Sequence, residues 1–275
     1  MQEVQYLILA VVCSLSLGSK IPLDMALDAV DDMYDGCSKD ALNKFVLSDL
    51  LQEEMNQSII FQKAWHQSQS ACPKLIPGGL KQHTTALLTI ASDDDSFRKT
   101  LNNAVFTDGA NSTIYEEHFN YKSIHFLLMD SLRLLHTGQN VCTTVYAFSD
   151  FDFSAVKGST VRLGRFTIGY PSLQILKKRD IDDEVILSIT SCFFANLGEN
   201  ICIEEPSILL SPAEEFRVED VRTVKEDEDL SYHLIVLKHS KLKSEHNCYV
   251  FSRSPDFNFH CFFLALLSPF FLFMS

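Results

Sequence analysis

The hexapeptide TTVYAF, residues Thr143–Phe148, marks the point where the sequence changes character. Before it, apolar residues recur at helical spacing. After it, the apolar runs shorten and become rich in β-branched and aromatic residues, which is the composition of strands. Helices followed by strands are typical of an α+β fold rather than of alternating strands and helices. With 275 residues and 46% hydrophobic content, a single domain is the economical interpretation.

Working outward from this hexapeptide, the patterns predict helices on its N-terminal side and about seven strands from it onward. The predicted helices are residues 38–56, 62–70, 79–92, a segment that begins at Asp95, and 121–136. The predicted strands are residues 143–148, 160–168, 184–192, 208–210, 216–224, 232–237 and 248–251.

Both ends of the sequence carry apolar segments that point to the secretory route. Residues 6–15 are too short for a permanent membrane helix and precede small residues, so residues 1–19 are interpreted as a signal peptide, with a buried helix as the alternative. The tail at 261–274 follows a polar spacer, which is the pattern of a glycosylphosphatidylinositol (GPI) anchor signal. We expect an extracellular domain at 20–252 and a GPI-type propeptide at 253–275. A soluble secreted product and a retained tail are the alternatives.

The net charge argues against one class of partner, and the cysteine content agrees with an extracellular protein. The formal net charge of −13 opposes sequence-independent binding to nucleic acid, so we expect no such partner. Without the two ends, six cysteines remain, an even number that favours disulfides in an oxidising compartment. These are Cys37, Cys72, Cys142, Cys192, Cys202 and Cys248. No C-x-x-C or H-x-x-x-H spacing indicates a metal site. Sequons at Asn56 and Asn111 are predicted glycosylation sites.

Several stretches resemble one known family when they are taken in order. They are VDDMYDGC at 30–37, HFNYKSIHFLL at 118–128, VRLGRF at 161–166, and ILLSP at 208–212 followed by Glu214 and Phe216. Together they resemble the vertebrate ecto-ADP-ribosyltransferases, the arginine-specific mono-ADP-ribosyltransferases, from about residue 24 to residue 251. The resemblance implies two packed, mainly antiparallel sheets around an NAD-type cleft, with helices ahead of them.

The same resemblance carries expectations about ligands, partners and cysteine pairs. It implies NAD(P)+ as the substrate, an arginine of a target protein as the acceptor, and a form that is anchored to the cell-surface membrane by a lipid or secreted. It also implies a pairing of Cys37 with Cys248 and of Cys142 with Cys192. Cys72 and Cys202 are then left over, and whether they pair with each other stays open.

The family's catalytic residues fall on four positions of this sequence. The arginine that clamps NAD belongs to a V-[FY]-R-G strand, and Ala147 stands in its place. The serine of an F-x-S-x-S run is replaced by Ile168, and the glutamate that stabilises the ribosyl cation by Ser207. The earlier glutamate of the Glu-x-Glu pair, which directs attack by the acceptor arginine, is retained as Glu205.

These replacements predict weak or absent transferase activity. A carboxylate about 4 Å from a unit positive charge is worth on the order of 4 kcal/mol at an effective dielectric constant of 20. Its loss alone would slow the reaction roughly a thousandfold. We therefore expect a catalytically impaired family member with a binding or display role. The alternative is an active arginine ADP-ribosyltransferase or NAD glycohydrolase that uses non-standard residues.

Other charged or titratable residues are expected to take no part in catalysis. Residues 226–228 spell a second Glu-x-Glu, but we expect a solvated loop there. Arg162 belongs to the V-R-x-G strand and not to the clamp, and Glu214 is expected to face solvent or an arginine. His118 and His125, on or before an apolar helix, are expected to be packed or surface residues.

Overall fold

The computed structural model describes residues 20–136, 141–149, 152–226 and 230–251, so both proposed processing segments lie outside it. The helices are α1 Ser38–Ala41, a π-helical turn Leu42–Val46, α2 Leu50–Gln57, α3 Ile59–Gln69, α4 Lys81–Ile90, α5 Ser96–Thr107, α6 Ser112–Glu117, α7 Lys122–Leu135, α8 Leu173–Leu176 and α9 Leu197–Asn200. The strands are β1 Ile21–Pro22, β2 Thr143–Phe148, β3 Phe153–Ser154, β4 Thr160–Arg162, β5 Thr167–Gly169, β6 Val185–Ser191, β7 Phe194–Asn196, β8 Ile208–Leu210, β9 Glu214–Lys225 and β10 Ser231–Leu242. No helix in these ranges has both the length and the apolar character needed to span a membrane.

The helical half follows the predicted pattern except near its start. The predicted helix over 38–56 is interrupted, because Ser48 donates its hydroxyl to the Lys44 carbonyl (2.6 Å) and accepts from the Leu50 amide (3.2 Å). Such local side-chain hydrogen bonds compete with the helical backbone pattern. α3 begins three residues earlier than predicted, since the Ser58 hydroxyl caps it by accepting from the Phe61 amide.

Two sheets of unequal size form the C-terminal half, as the resemblance implies. The larger has the order β2-β6-β10-β9-β4 and the smaller the order β5-β8-β7. All of their neighbouring strands are antiparallel except β6 and β10, which run parallel. A short parallel pair, β1 and β3, lies beside them. The α+β architecture with mainly antiparallel sheets is confirmed.

The predicted strand over 160–168 is wrong in one respect, because it is two strands in different sheets. β4 pairs with β9 in the larger sheet, whereas β5 pairs with β8 in the smaller one. Gly164 turns the chain between them with a φ of +64°, a conformation that favours glycine. A Cβ atom at this position would lie 2.5 Å from the Cβ of Ala26. Because of this turn, Ile168 lies in the smaller sheet.

The predicted strand over 248–251 is also wrong, because these residues form a turn. The buried carboxylate of Asp32 accepts hydrogen bonds from the amides of Cys248 (2.8 Å) and Tyr249 (3.3 Å). Cys248 itself has a φ of +56°. The last described segment is therefore fastened to the N-terminal segment through side chains rather than through a sheet.

Three disulfides join distant parts of the domain. They are Cys37–Cys248, Cys72–Cys202 and Cys142–Cys192. The first fastens the last described turn beside α1, and the third joins β2 to the end of β6. The second ties the end of α3 to the segment ahead of β8, so it settles the pairing that the sequence left open.

Candidate functional site

A cleft opens between the helices α3 to α5 and the smaller sheet. Its outer part is a cavity of about 730 Å³. The residues that line this outer cavity are Gln67, Ser68, Ala71, Leu88, Ala91, Ser92, Asp93, Arg98, Ile168, Tyr170, Arg179, Ile203, Glu204, Glu205 and Ser207. It adjoins a smaller cavity of about 90 Å³, with which it shares Arg98, Ile168, Tyr170 and Arg179. We call these the outer and inner cavities.

Three of the four positions that the resemblance marks as catalytic meet in the outer cavity. Ile168 lies in β5 opposite Leu209, and Ser207 directly precedes β8. Glu205 lies two residues before Ser207, and all three side chains line the same space. Ala147 lines neither cavity, and it is fully buried in β2 opposite Leu187.

Glu205 is held by a basic neighbour. Its carboxylate accepts from the guanidinium of Arg179 at 3.3 Å, and both side chains are about half exposed, at 50%. Arg179 also donates to the Tyr170 hydroxyl at 3.2 Å and lies 5.3 Å from the centre of the Tyr170 ring. The carboxylate of Glu205 therefore already faces a cation of this chain.

The sequence reasoning missed three arginines that line the inner cavity, namely Arg98, Arg165 and Arg179. Arg98 lies in the first turn of α5 and donates to the carbonyls of Ile90, the last residue of α4, and of Ser92, two residues beyond it. Arg165 follows the Gly164 turn, is 4% exposed, and lies 4.5 Å from the ring centre of Phe106. These residues come from separate elements, so no spacing in the sequence brings them together. Of the three, Arg165 alone lies inside a family motif quoted above, V-R-x-G-x-F.

Arg162 lies away from the cleft, as predicted. Its guanidinium, 1% exposed, donates to Asp31 at 2.6 Å and to Glu215 at 2.9 Å. Burial works to raise the pKa of Asp31, but hydrogen bonds from His246 and the Glu245 amide, together with the charge of Arg162, hold it below its usual value. The cluster fastens β4 to β9 and to the segment that follows β10.

The expectation that Glu214 faces solvent or an arginine is wrong. Glu214 is fully buried and accepts hydrogen bonds from the Ser191 hydroxyl at 2.5 Å and the Cys192 amide at 2.8 Å. Its other near neighbour is His239 Nδ1 at 2.7 Å. Burial raises the pKa of the Glu214 carboxyl. This carboxylate holds the end of β6 beside a disulfide and takes no part in the cleft.

The remaining candidates lie outside the chemistry. His125 is packed in the core, and Glu226 pairs with Lys177, whereas residues 227–228 of the second Glu-x-Glu lie outside the described residues. Both predicted glycosylation asparagines, Asn56 and Asn111, are exposed. In the part of the chain that the structure describes, no group of three or more histidine, cysteine, aspartate or glutamate side chains is arranged to hold a metal ion.

A cleft between a helical layer and two mainly antiparallel sheets is the arrangement that the resemblance to the ADP-ribosyltransferases implies. Comparisons with known proteins show to which family the chain belongs. The sequence model described as NAD:arginine ADP-ribosyltransferase matches residues 23–241. The chain belongs to this family, since the match spans most of its length.

Individual relatives and solved structures agree with this membership. The chain is 29% identical over 212 residues to ecto-ADP-ribosyltransferase 5 of Mus musculus, covering 72% of this chain and 67% of the relative. It is 30% identical over 214 residues to GPI-linked NAD(P)(+)–arginine ADP-ribosyltransferase 1 of the same species, covering 72% and 64%. The crystal structure of the mono-ADP-ribosyltransferase ART2.2 superimposes with a TM-score of 0.68 at 26% identity, covering 83% of this chain and 98% of that one. A variant of ART2.2 has been solved with NAD, at a TM-score of 0.66, 26% identity and the same coverage.

Proposed function

We propose that this protein is a catalytically impaired member of its family, with a binding or display role outside the cell. The observation that carries the proposal is the lining of the outer cavity. Ile168 and Ser207 bring no charge to it, and Glu205 is paired with Arg179. The family reaction requires a carboxylate at the position that Ser207 occupies. The other carboxylates of this lining, Asp93 and Glu204, lie at positions to which the resemblance assigns no catalytic role.

The electrostatic argument concerns the transition state. Breaking the bond to nicotinamide builds positive charge on the ribose, and a carboxylate fixed nearby lowers that barrier. A serine hydroxyl at position 207 offers a dipole in place of a charge. Glu205 is half exposed and faces the guanidinium of Arg179, so solvent and that cation both weaken its field. We therefore expect NAD turnover at least a thousandfold below that of an active relative.

The proposed location rests on the relatives and on the cysteines. One relative is named GPI-linked and others are named ecto-enzymes, and the three disulfides of this chain suit an oxidising compartment. We propose display at the cell surface through a lipid anchor, or secretion, with an arginine-bearing protein as a possible class of partner. A signal peptide at 1–19 and a propeptide at 253–275 belong to the same proposal.

A second candidate function is residual transferase or NAD glycohydrolase activity through non-standard residues. The three arginines of the inner cavity favour it, because they could hold a dinucleotide without an arginine at position 147. They provide no replacement for the carboxylate that stabilises the cation. This candidate therefore ranks second.

The test is an assay of the purified, disulfide-bonded ectodomain with labelled NAD and agmatine as the acceptor. We expect neither label transfer nor nicotinamide release above background.

A variant with the family residues restored should gain activity. It carries four substitutions together, namely Ala147→Arg, Phe148→Gly, Ile168→Ser and Ser207→Glu. Phe148 is included because it stands at the glycine of the V-[FY]-R-G pattern and lines the inner cavity. The matched control places the same new carboxylate outside the cleft, as Ser240→Glu at an exposed position of β10. Transfer by the unaltered protein at a rate typical of the family would refute impairment.

A further inference from the structure

A groove lies on the helical layer, apart from the cleft. It is bounded by Leu51 and Met55 of α2, Trp65 of α3 and Gln82 of α4, and its volume is about 290 Å³. None of the residues that line it lines the outer or the inner cavity. We call it the helical groove.

The helical groove has an apolar floor and a rim of primary amides. The leucine, methionine and tryptophan of the floor are buried, whereas three glutamines, Gln52, Gln69 and Gln82, are accessible to solvent. The side-chain amides of Gln69 and Gln82 have no hydrogen-bond partner among the described residues, and each can both donate and accept. Within those residues, Lys81 is the one charged side chain of the lining. An uncharged ligand with apolar, hydroxyl and amide groups fits this surface.

Asn56, the first asparagine of a sequon, lies at the edge of the helical groove. It is exposed, follows Met55 directly, and stands four residues after Gln52 on α2, so Asn56 and Gln52 are neighbours on the helix surface. The Gln52 side-chain amide donates from Nε2 to Asn56 Oδ1 at 2.9 Å. This bond orients the Asn56 amide beside the rim and engages only its oxygen. The nitrogen Nδ2, to which a sugar is attached in N-glycosylation, remains available.

The second sequon has a different setting. Asn111 is exposed, and its Oδ1 caps α6 by accepting from the Ile114 amide at 3.0 Å. It lines neither the helical groove nor either cavity of the cleft. The two sequons therefore differ in what a glycan attached to them would meet.

We propose that the N-linked glycan of Asn56 packs into the helical groove. In the attachment step Nδ2 of Asn56 forms a bond to C1 of the first N-acetylglucosamine, the bond from C1 to a lipid-linked diphosphate donor breaks, and Nδ2 loses one proton. The apolar face and acetyl methyl of this sugar contact the floor, while its hydroxyl and acetamide groups bond to the glutamine amides of the rim. The inference goes beyond the proposed function but rests on the proposed secretory location, because the sugar is added there.

The experiment uses the full chain made in mammalian cells, in two variants that each keep one sequon. Thr113→Ala removes the second sequon and leaves the Asn111 cap in place, and Asn56→Gln removes the first. Asn56→Gln is preferred to Ser58→Ala because Ser58 caps α3. Mass spectrometry establishes which asparagine carries sugar, and a peptide-N-glycosidase then removes it from the folded protein. Trp65 is the single tryptophan of the chain, so its fluorescence reports on the groove.

Removing the sugar from Asn56 should expose the groove. In Thr113→Ala, enzymatic removal should shift the Trp65 emission to longer wavelength and increase its quenching by acrylamide. The melting temperature should fall by roughly 2 to 4 °C, as expected for the loss of a few contacts in a domain of this size. In Asn56→Gln, the matched control, the same treatment of the Asn111 glycan should leave emission and quenching unchanged.

A further pair of variants separates contact with the groove from attachment alone. In the Thr113→Ala background, Gln69→Ala with Gln82→Ala should abolish the fluorescence change caused by the enzyme, although the glycan is still attached. Gln67→Ala, an exposed glutamine of α3 outside the groove, should retain it.

Two outcomes would overturn the inference. One is an Asn56 without sugar, and a glycan at Asn111 would then leave the secretory location standing. The other is a glycan at Asn56 whose removal leaves the Trp65 signal unchanged.

Discussion

His125 shows how one buried polar side chain is satisfied in the apolar helix α7. The ring is fully buried, and its Nε2 donates to the Val30 carbonyl at 3.0 Å while its Nδ1 accepts from the Tyr34 hydroxyl at 2.9 Å. A neutral imidazole offers one donor and one acceptor, so both partners are matched. Burial lowers the pKa of His125 to about 4. The fold therefore favours the neutral form.

This lowered pKa predicts a loss of stability in mild acid. The unfolded chain takes up the proton near pH 6.5, whereas the folded chain resists it down to about pH 4. The His125 contribution is therefore present above pH 6.5 and is lost as the pH falls. Between pH 7 and pH 5 it should remove about 2 kcal/mol from the free energy of unfolding.

The measurement is urea unfolding of the unaltered protein and of His125→Gln at both pH values. The variant should be less stable at pH 7, but its deficit should shrink by about 2 kcal/mol at pH 5 because glutamine does not titrate. Taking the difference cancels the other titrating groups, including Asp32, whose pKa burial raises to about 6. His66→Gln, at an exposed position of α3, is the control. A deficit independent of pH would contradict this account.

The turn between β4 and β5 is the element that positions the cleft residues. It sends β4 to the larger sheet and β5 to the smaller one, and thereby brings both Arg165 and Ile168 to the inner cavity. Gly164 makes the turn possible for two reasons, its positive φ and the close approach of Ala26. A substitution there should disturb both the fold and the cleft.

Gly164→Ala should lower the free energy of unfolding by about 2 kcal/mol or more, because it adds steric overlap to backbone strain. Gly158→Ala is the matched control, with a φ of +88° but open space around its Cβ position. It should cost about 1 kcal/mol, from strain alone. Equal losses in chemical denaturation for the two variants would show that the contact with Ala26 is unimportant.

How far the sequence predicts an element depends on whether local or distant groups decide it. β2 is predicted to the residue, since its composition is that of a buried strand and its neighbours are turn formers. The split at Gly164 was missed, because the run from 160 to 168 has the composition of one strand, and the close approach of Ala26 at the break comes from a distant segment. Glu214 was misjudged for the same reason, as its partners Ser191 and Cys192 lie at the end of a distant strand, β6. That Arg98, Arg165 and Arg179 line one cavity could be seen only from the fold, because they lie far apart in the sequence.

At the scale of the whole molecule, the disulfides join segments that lie far apart in the sequence, and one of them links Cys37, near the start of the described residues, to Cys248, near their end. Cys37–Cys248 spans 211 residues, Cys72–Cys202 spans 130, and Cys142–Cys192 spans 50. In the chain-entropy account a disulfide stabilises by limiting the unfolded state, and its effect grows slowly with loop length. The first bond should then contribute about 5 kcal/mol and the third about 4 kcal/mol. Either is comparable to the whole stability of an ordinary domain.

Replacing both cysteines of one bond by serine tests this ranking. The pair Cys37→Ser and Cys248→Ser should lower the free energy of unfolding by about 5 kcal/mol, and the pair Cys142→Ser and Cys192→Ser by about 4 kcal/mol, in urea titrations with the other bonds intact. Replacing Cys192 has a second effect besides the loss of loop entropy. Its amide donates a hydrogen bond to the buried Glu214, so the replacement also disturbs the packing around that carboxylate. Larger damage from losing the Cys142–Cys192 bond would mean that this local packing outweighs loop entropy. The predicted order requires loop entropy to dominate, because Cys37–Cys248 closes the longer of the two loops.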